Sequence, residues 1–175
     1  MTDEPPSRST HCDVIVEPAW RDAGVDLDAL TAACAHAALG RAGVDPTTVE
    51  LSVRFTDDAA IAELNAVWRD KPEPTDVLAF PADPEDGPRG EGAPRLLGDV
   101  VLAFETCARD ACALSRPLSA HLHHLLIHGL LHLLGYDHGD PDDAARMEAF
   151  EVAVLADLAL PDPYAGRPLT EETPR

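Results

Sequence analysis

Three closely spaced histidines, His128, His132 and His138, lie in the second half of the chain. His128 and His132 are four residues apart in an apolar segment, so on a helix both imidazoles lie on one face. Gly135 is placed to end that helix in a left-handed conformation, after which the chain can bring His138 back to the same point. Three neutral imidazoles leave a tetrahedral zinc ion one open position for water. The spacing predicts one zinc-like ion per chain, although nickel, copper or iron also suit imidazole.

Three further histidines precede this motif: His121, His123 and His124. His124 and His132 are eight residues apart, a rise of about 12 Å on a helix. They cannot both bind one ion through bonds of about 2 Å. We expect His124 to lie behind the ligands or to face the substrate, and the other two histidines to be structural or exposed to solvent.

Two aspartates are candidates for supporting roles. Asp99 could hydrogen-bond to a ligand histidine from a strand, and Asp137 could orient a ligand or water. The alternative for Asp99 is an ordinary strand-end residue, and the alternative for Asp137 is a cap of the turn before His138.

The histidine spacing is also that of the zinc-protease motif H-E-x-x-H-x-x-G-x-x-H. In those proteases the glutamate after the first histidine is the general base, and here that position is Gly129. Such proton transfers contribute about 10²–10⁴-fold to the rate. The metal geometry is therefore shared, but the machinery for peptide hydrolysis is not.

The elements that must position these residues follow from hydrophobic periodicity. Alternating patterns predict strands at 13–17, 49–55, 75–80 and 97–104. Helical spacing and capping residues predict helices at 26–41, 58–68, 105–114, 119–134 and 141–158. This order favours an α+β fold with one mostly covered sheet, and it places the zinc site at the end of a long apolar helix.

Length and composition indicate one globular domain. The chain has 175 residues, 45% of them hydrophobic, and we place a single domain at 11–160 with flexible tails at 1–10 and 161–175. The chain has no signal-peptide pattern and no long apolar run, so we expect a cytoplasmic protein without a membrane segment. The formal net charge of −19 argues against a broad nucleic-acid-binding surface.

The segment HGLLHLLGYDH resembles the signature of the YbeY family of bacterial metal-dependent endoribonucleases. Residues 64–72, which include Arg69, and residues 75–81 (TDVLAFP) match the family independently. A third match is LGDVV at 97–101. The motifs occur in the family's order over roughly residues 50–140, and we therefore interpret the chain as a YbeY-like metal-dependent hydrolase.

The resemblance implies a small mixed four-stranded sheet packed with about five helices, and a zinc ion held by the three histidines. It implies single-strand-specific RNA cleavage in the maturation of the small-subunit ribosomal RNA 3′ end and in ribosome quality control. Ribosomal RNA and ribosomal or ribosome-associated proteins are the implied partners. It also assigns Arg69 a functional role, and a guanidinium group is well shaped to clamp a phosphate.

The chain departs from the family pattern at Ala79, where the family often has serine, and at Trp68, where it usually has tyrosine or another aromatic residue. Lys71 and Arg54 could add local positive charge, so a narrow site served by a metal and one or two arginines is expected. Two alternatives stay open: a zinc hydrolase of another substrate class, such as a metalloprotease-like enzyme, and a non-catalytic, metal-containing ribosome-associated factor. The oligomeric state is not predicted.

Overall fold

A computed structural model describes residues 11–83 and 93–165, with His11 described by its backbone alone. The predicted tail at 1–10, most of the predicted acidic loop, and residues 166–175 lie outside the described residues. The strands are β1 His11–Val16, β2 Val49–Thr56, β3 Val77–Pro81 and β4 Arg95–Ala103. The helices are α1 Leu27–Arg41, α2 Asp58–Arg69, α3 Phe104–Ala113, α4 Leu118–Leu133 and α5 Pro141–Asp157. Two short 3₁₀ helices are Pro18–Trp20 and Pro46–Thr48.

The four strands form one sheet in the order β1-β2-β4-β3. β1, β2 and β4 run parallel, whereas β3 pairs antiparallel with β4 and forms an edge of the sheet. Together with the five α-helices of the described ranges, this confirms the α+β fold and the mixed four-stranded sheet. Within those ranges no helix is both long enough and apolar enough to cross a membrane.

The two faces of the sheet bury different sets of residues. Val100 and Leu102 of β4 belong to the main core, which also contains buried side chains of α1, α4 and α5. Val101 and Ala103 alternate with them and face α2, where they form a smaller cluster with Ile61. The apolar helix α4 packs against β3 and β4 and also against α1, α3 and α5, so it lies at the centre of the molecule.

Aspartates fix the first turns of three helices. Asp26 accepts a hydrogen bond from the backbone N–H of Ala29 (3.0 Å), and Asp57 accepts one from Ala60 (2.8 Å). Asp140 caps α5 by accepting from two backbone N–H groups at 2.9 Å. Each cap satisfies donors that a helix N-terminus leaves unpaired, and its negative charge complements the helix dipole.

The segment that follows the predicted domain boundary at residue 160 contacts the rest of the chain. Residues 161–165 lie against the domain: Arg116 donates a hydrogen bond to the carbonyl of Pro163, and the hydroxyl of Tyr164 donates to Glu151. The first five residues of the predicted flexible tail are therefore a packed segment that reaches the site described next.

Candidate metal centre

The three histidines of the sequence motif come together at the end of α4. The Nε2 atoms of His128 and His132 are 3.1 Å apart, and one nitrogen from each of the three rings lies within 4.8 Å of the others. A tetrahedral zinc ion with bonds of about 2.0–2.1 Å holds two nitrogens about 3.3 Å apart. The donor set therefore fits one ion of this size. Burial and repulsion from His128 and His138 lower the pKa of His132, which favours its neutral form.

The end of α4 brings His138 to the other two histidines. Gly135 has φ +90°, the left-handed conformation that the sequence predicts for it. Its N–H bonds to the carbonyl of His132, and the N–H of Tyr136 bonds to that of Leu131, both at 3.0 Å. These two bonds close the helix end and reverse the chain. Asp137 then accepts a hydrogen bond from the backbone N–H of His138 (2.7 Å), so its carboxylate caps this turn.

The carboxylate behind the ligands comes from Glu151 of α5. Its Oε1 lies 2.7 Å from Nδ1 of His128, which donates to it. A proton held on Nδ1 leaves the lone pair of Nε2 free to bind a metal ion, and a carboxylate partner raises the basicity of the ring. Sequence reasoning missed Glu151. The signal was a charged residue at helical spacing from Met147, Val154 and Leu155, all of which are buried.

Two further side chains contact the second carboxylate oxygen of Glu151. Nε2 of His124 and the hydroxyl of Tyr164 both lie close to this oxygen, the former at 3.2 Å. Burial alone would raise the pKa of Glu151, but hydrogen bonds from His124, His128 and Tyr164 lower it to about 2. Glu151 is therefore a carboxylate, and His124 contacts it while also lining the cavity that contains the three histidines. Tyr164, within the predicted tail, was missed.

Asp99 does not support the ligands as expected. It is exposed, and it alternates along β4 with Val100, which faces α4. Its side chain therefore leaves the sheet on the face of α2, away from the histidines. The other two histidines of α4 are structural: His121 is 4% exposed, and His123 donates from Nδ1 to the carbonyl of Ser119 (2.6 Å).

Arg69 lies in the same cavity as the three histidines. The cavity has a volume of about 300 Å³. Its polar lining residues are Arg69, Thr75, Asp76, His124, His128, His132, His138 and Tyr164. Arg69 is the exposed last residue of α2, and among the residues described here its guanidinium has no ion-pair partner. A cation and a three-nitrogen donor set facing one cavity can hold a phosphate beside a metal ion. Arg54, by contrast, is ion-paired with Glu17.

Gly129 lies where α4 packs closely against the sheet. A Cβ atom added here would lie 2.7 Å from Cγ1 of Val100 and 3.5 Å from Cγ2 of Val77. Val100 is a stiff, fully buried, β-branched residue. The glutamate found here in zinc proteases would therefore not fit without moving α4 away from the sheet.

The sequence is similar to those of known proteins over most of its length. The family description "Endoribonuclease YbeY" matches residues 21–159. A protein named endoribonuclease YbeY from Paramagnetospirillum magneticum is 50% identical over 84% of this chain and 90% of its own length. One from Nitrobacter hamburgensis is 44% identical over 87% of this chain and 80% of its own length.

The solution structure of TM1509 from Thermotoga maritima has the same fold. It matches with a TM-score of 0.52 and 22% identity, over 85% of this chain and 91% of that one. The family match covers most of the chain, including the three histidines, Arg69 and Glu151. It ends before Tyr164. The chain therefore belongs to the YbeY endoribonuclease family.

Proposed function

We propose that the chain is a zinc-dependent endoribonuclease that cleaves single-stranded RNA. Its proposed roles are maturation of the small-subunit ribosomal RNA 3′ end and ribosome quality control. The observation that supports this most directly is the placement of Arg69 in one cavity with His128, His132 and His138. We place the protein in the cytoplasm, with ribosomal RNA as substrate and ribosomal or ribosome-associated proteins as partners.

The chain's own residues have separate tasks in this proposal. His128, His132 and His138 would hold the zinc ion, and Glu151 fixes the ring of His128 through Nδ1, which leaves Nε2 free to bind it. When bound, zinc supplies Lewis acidity towards a phosphoryl oxygen and lowers the pKa of water to about 7. Arg69 binds the phosphate and offsets the negative charge that develops on it.

The size and depth of the cavity favour a flexible substrate. A cavity of about 300 Å³ has room for about one nucleotide. A regular duplex is stiff and keeps its bases paired and stacked, whereas a single strand can bend and turn an unstacked base into the cavity. This is the physical basis for proposing single-strand specificity.

Metal content and cleavage together test the proposal. We expect about one zinc per chain in the parent protein and strongly reduced zinc in His128→Ala, His132→Ala and His138→Ala. The zinc-loaded parent should cut a single-stranded oligoribonucleotide, leave the matching duplex intact and leave a peptide panel uncut. Full zinc retention in His138→Ala would show that the third ligand is wrong.

Two results would favour the alternatives. Peptide cleavage that is lost in His128→Ala, without any RNA cleavage, would point to a metalloprotease-like hydrolase. Normal ribosomal RNA ends in cells that carry only His132→Ala, despite loss of the metal, would point to a non-catalytic ribosome-associated factor.

A further inference from the structure

We propose that Trp68 and Phe80 form a stacking platform for one base of the RNA strand whose phosphate is bound by Arg69. This inference deepens the proposed function and rests on it. It concerns a surface beside the metal cavity, at the last turn of α2 and the edge strand β3.

Trp68 is unusually exposed for its size. The chain has two tryptophans, and their environments are opposite: Trp20 is 2% exposed in the core, whereas Trp68 is 68% exposed. A large aromatic side chain left in water forgoes a substantial gain from burial, so an exposed one near a functional cavity indicates a binding surface.

Phe80 holds the indole in a defined place. The two ring centroids are 5.8 Å apart, and the rings are tilted by 58°. Phe80 is itself half-buried and packs on the small cluster formed by Ile61, Leu78 and Val101. Trp68 is thus supported on one side by a fixed ring, while most of its surface stays open. A rigid aromatic surface binds at a low cost in conformational entropy.

The topology places this platform next to the cavity. Successive residues of a helix are rotated by about 100°, so Arg69 reaches the cavity while its neighbour Trp68 contacts Phe80. Val77 and Ala79 of β3 line the cavity, and Phe80 lies on the opposite face of the same strand. β3 is the edge of the sheet. A nucleic-acid strand can therefore cross this edge from Arg69 to Trp68.

Two cations without an ion-pair partner in the described part of the chain lie beside the platform. Four arginines are ion-paired with carboxylates, namely Arg41, Arg54, Arg109 and Arg146. Arg69 and Lys71, on either side of Asp70, have no ion-pair partner in the described part of the chain. Asp70 and Glu73 in the same turn balance these two cations. Because the local field is weak, affinity here must come mainly from aromatic stacking, which every base offers.

The pairing of groups matches a nucleotide. A guanidinium binds phosphate, and an adjacent indole offers a flat apolar surface for the attached base. The segment that follows both residues is tied back to α2, because the side-chain amide of Asn65 donates to the carbonyl of Glu73 (2.8 Å). Asn65 is 5% exposed.

The test compares Trp68→Ala and Trp68→Phe with Val67→Ala, an equally exposed apolar residue of the same turn at 74%. With zinc-loaded protein and a single-stranded oligoribonucleotide, Trp68→Ala should raise KM about 5- to 150-fold, the range for loss of one stacked base. The value of kcat should change little, Trp68→Phe should restore most of the affinity, and Val67→Ala should behave as the parent. An unchanged KM in Trp68→Ala would overturn the proposal.

Abasic substrates identify the group that stacks. Removing the base on one side of the scissile phosphate should weaken binding to the parent and leave binding to Trp68→Ala unchanged. Oligonucleotide binding should also quench the fluorescence of Trp68, a signal absent in Trp68→Phe and independent of cleavage. If naked RNA binds equally to both proteins and only ribosome association falls in Trp68→Ala, the surface binds a protein instead and the platform is rejected.

These outcomes separate the platform from the proposed function. Base-dependent quenching without RNA cleavage would overturn the proposed function and keep the platform. Cleavage with no dependence on Trp68 would keep the function and overturn the platform.

Discussion

The hydrogen bonds of Glu151 decide which nitrogen of His128 faces the cavity. The carboxylate is 1% exposed and accepts from Nδ1 of His128 at 2.7 Å. The same carboxylate also contacts His124 and Tyr164, so its place is fixed from three sides. A ring held in this way is ready to bind a metal through Nε2 without reorienting, and metal affinity should therefore depend on residues that do not touch the ion.

Glu151→Gln should weaken zinc binding about 10- to 100-fold, the usual effect of changing a partner of a ligand histidine. The amide keeps the size of the side chain but loses the charge that supports His128. Competition with a chromophoric zinc chelator measures the change. Glu63→Gln, an exposed site on α2, is the control and should bind zinc as the parent does; equal affinities of both variants would contradict the assignment of Glu151.

Tyr164→Phe should lower the free energy of unfolding of the metal-free protein by about 1–2 kcal/mol, because the hydroxyl bonds to a charged acceptor at a half-buried site. Urea unfolding measures the difference. The matched control is Tyr136→Phe, since Tyr136 is the chain's other tyrosine and packs its ring on Phe150. If the two variants unfold at the same urea concentration, the contact of Tyr164 contributes nothing to stability.

At the scale of elements, the close packing of α4 on the sheet depends on a residue without a side chain at Gly129. Gly129→Ala should destabilise the protein by about 1–3 kcal/mol, because its methyl group meets Val100 at 2.7 Å in a packed core. Gly40→Ala on α1 is the control: nothing lies within 4 Å of its added Cβ, so it should stabilise by about 0.5–1 kcal/mol. Thermal or urea unfolding measures both changes. If the two substitutions change the free energy of unfolding in the same direction, this packing argument is wrong.

Local signals predicted the elements well. The helix starts predicted at residues 26, 58 and 141 lie within one residue of the observed starts, where Asp26, Asp57 and Asp140 are the caps, and Gly135 ends α4 as expected. The differences are small; β4, for example, begins at Arg95 instead of residue 97. Helix caps and helix ends depend on residues that are close in the sequence, so they can be predicted from the sequence alone.

Contacts between distant elements were not predictable in the same way. Glu151 is 23 residues from His128, and the two meet only because α5 packs on α4. For Asp99, the sequence predicts that side chains alternate along β4, but it does not predict which face of the sheet α4 covers. A strand offers two faces, and choosing the wrong one moves every side chain to the opposite side. The carboxylate that contacts a ligand histidine was therefore expected on β4, whereas it comes from Glu151 of α5.

At the scale of the whole molecule, the net charge of −19 opposes the approach of any polyanion. Four of the eight arginines in the described part of the chain are ion-paired, as Arg41 is with Asp157 at 2.8 Å. Few cations are left to replace counterions on RNA. We therefore expect RNA to bind only at the cavity and its edge, where Arg69 and Lys71 lie. The dependence of RNA affinity on salt concentration tests this expectation.

The affinity for a single-stranded oligoribonucleotide should depend only weakly on salt. Each phosphate neutralised contributes about −0.7 to the slope of log K against log salt concentration, so contacts from Arg69 and Lys71 predict a slope of about −1.4. Fluorescence titrations across a series of potassium chloride concentrations measure it. Lys71→Ala should reduce the slope to about −0.7, whereas Arg41→Ala should leave it unchanged because that guanidinium is paired with Asp157. A slope steeper than about −3.5 would require five or more phosphate contacts and would contradict a narrow site, since it would demand a basic surface that the described residues do not provide.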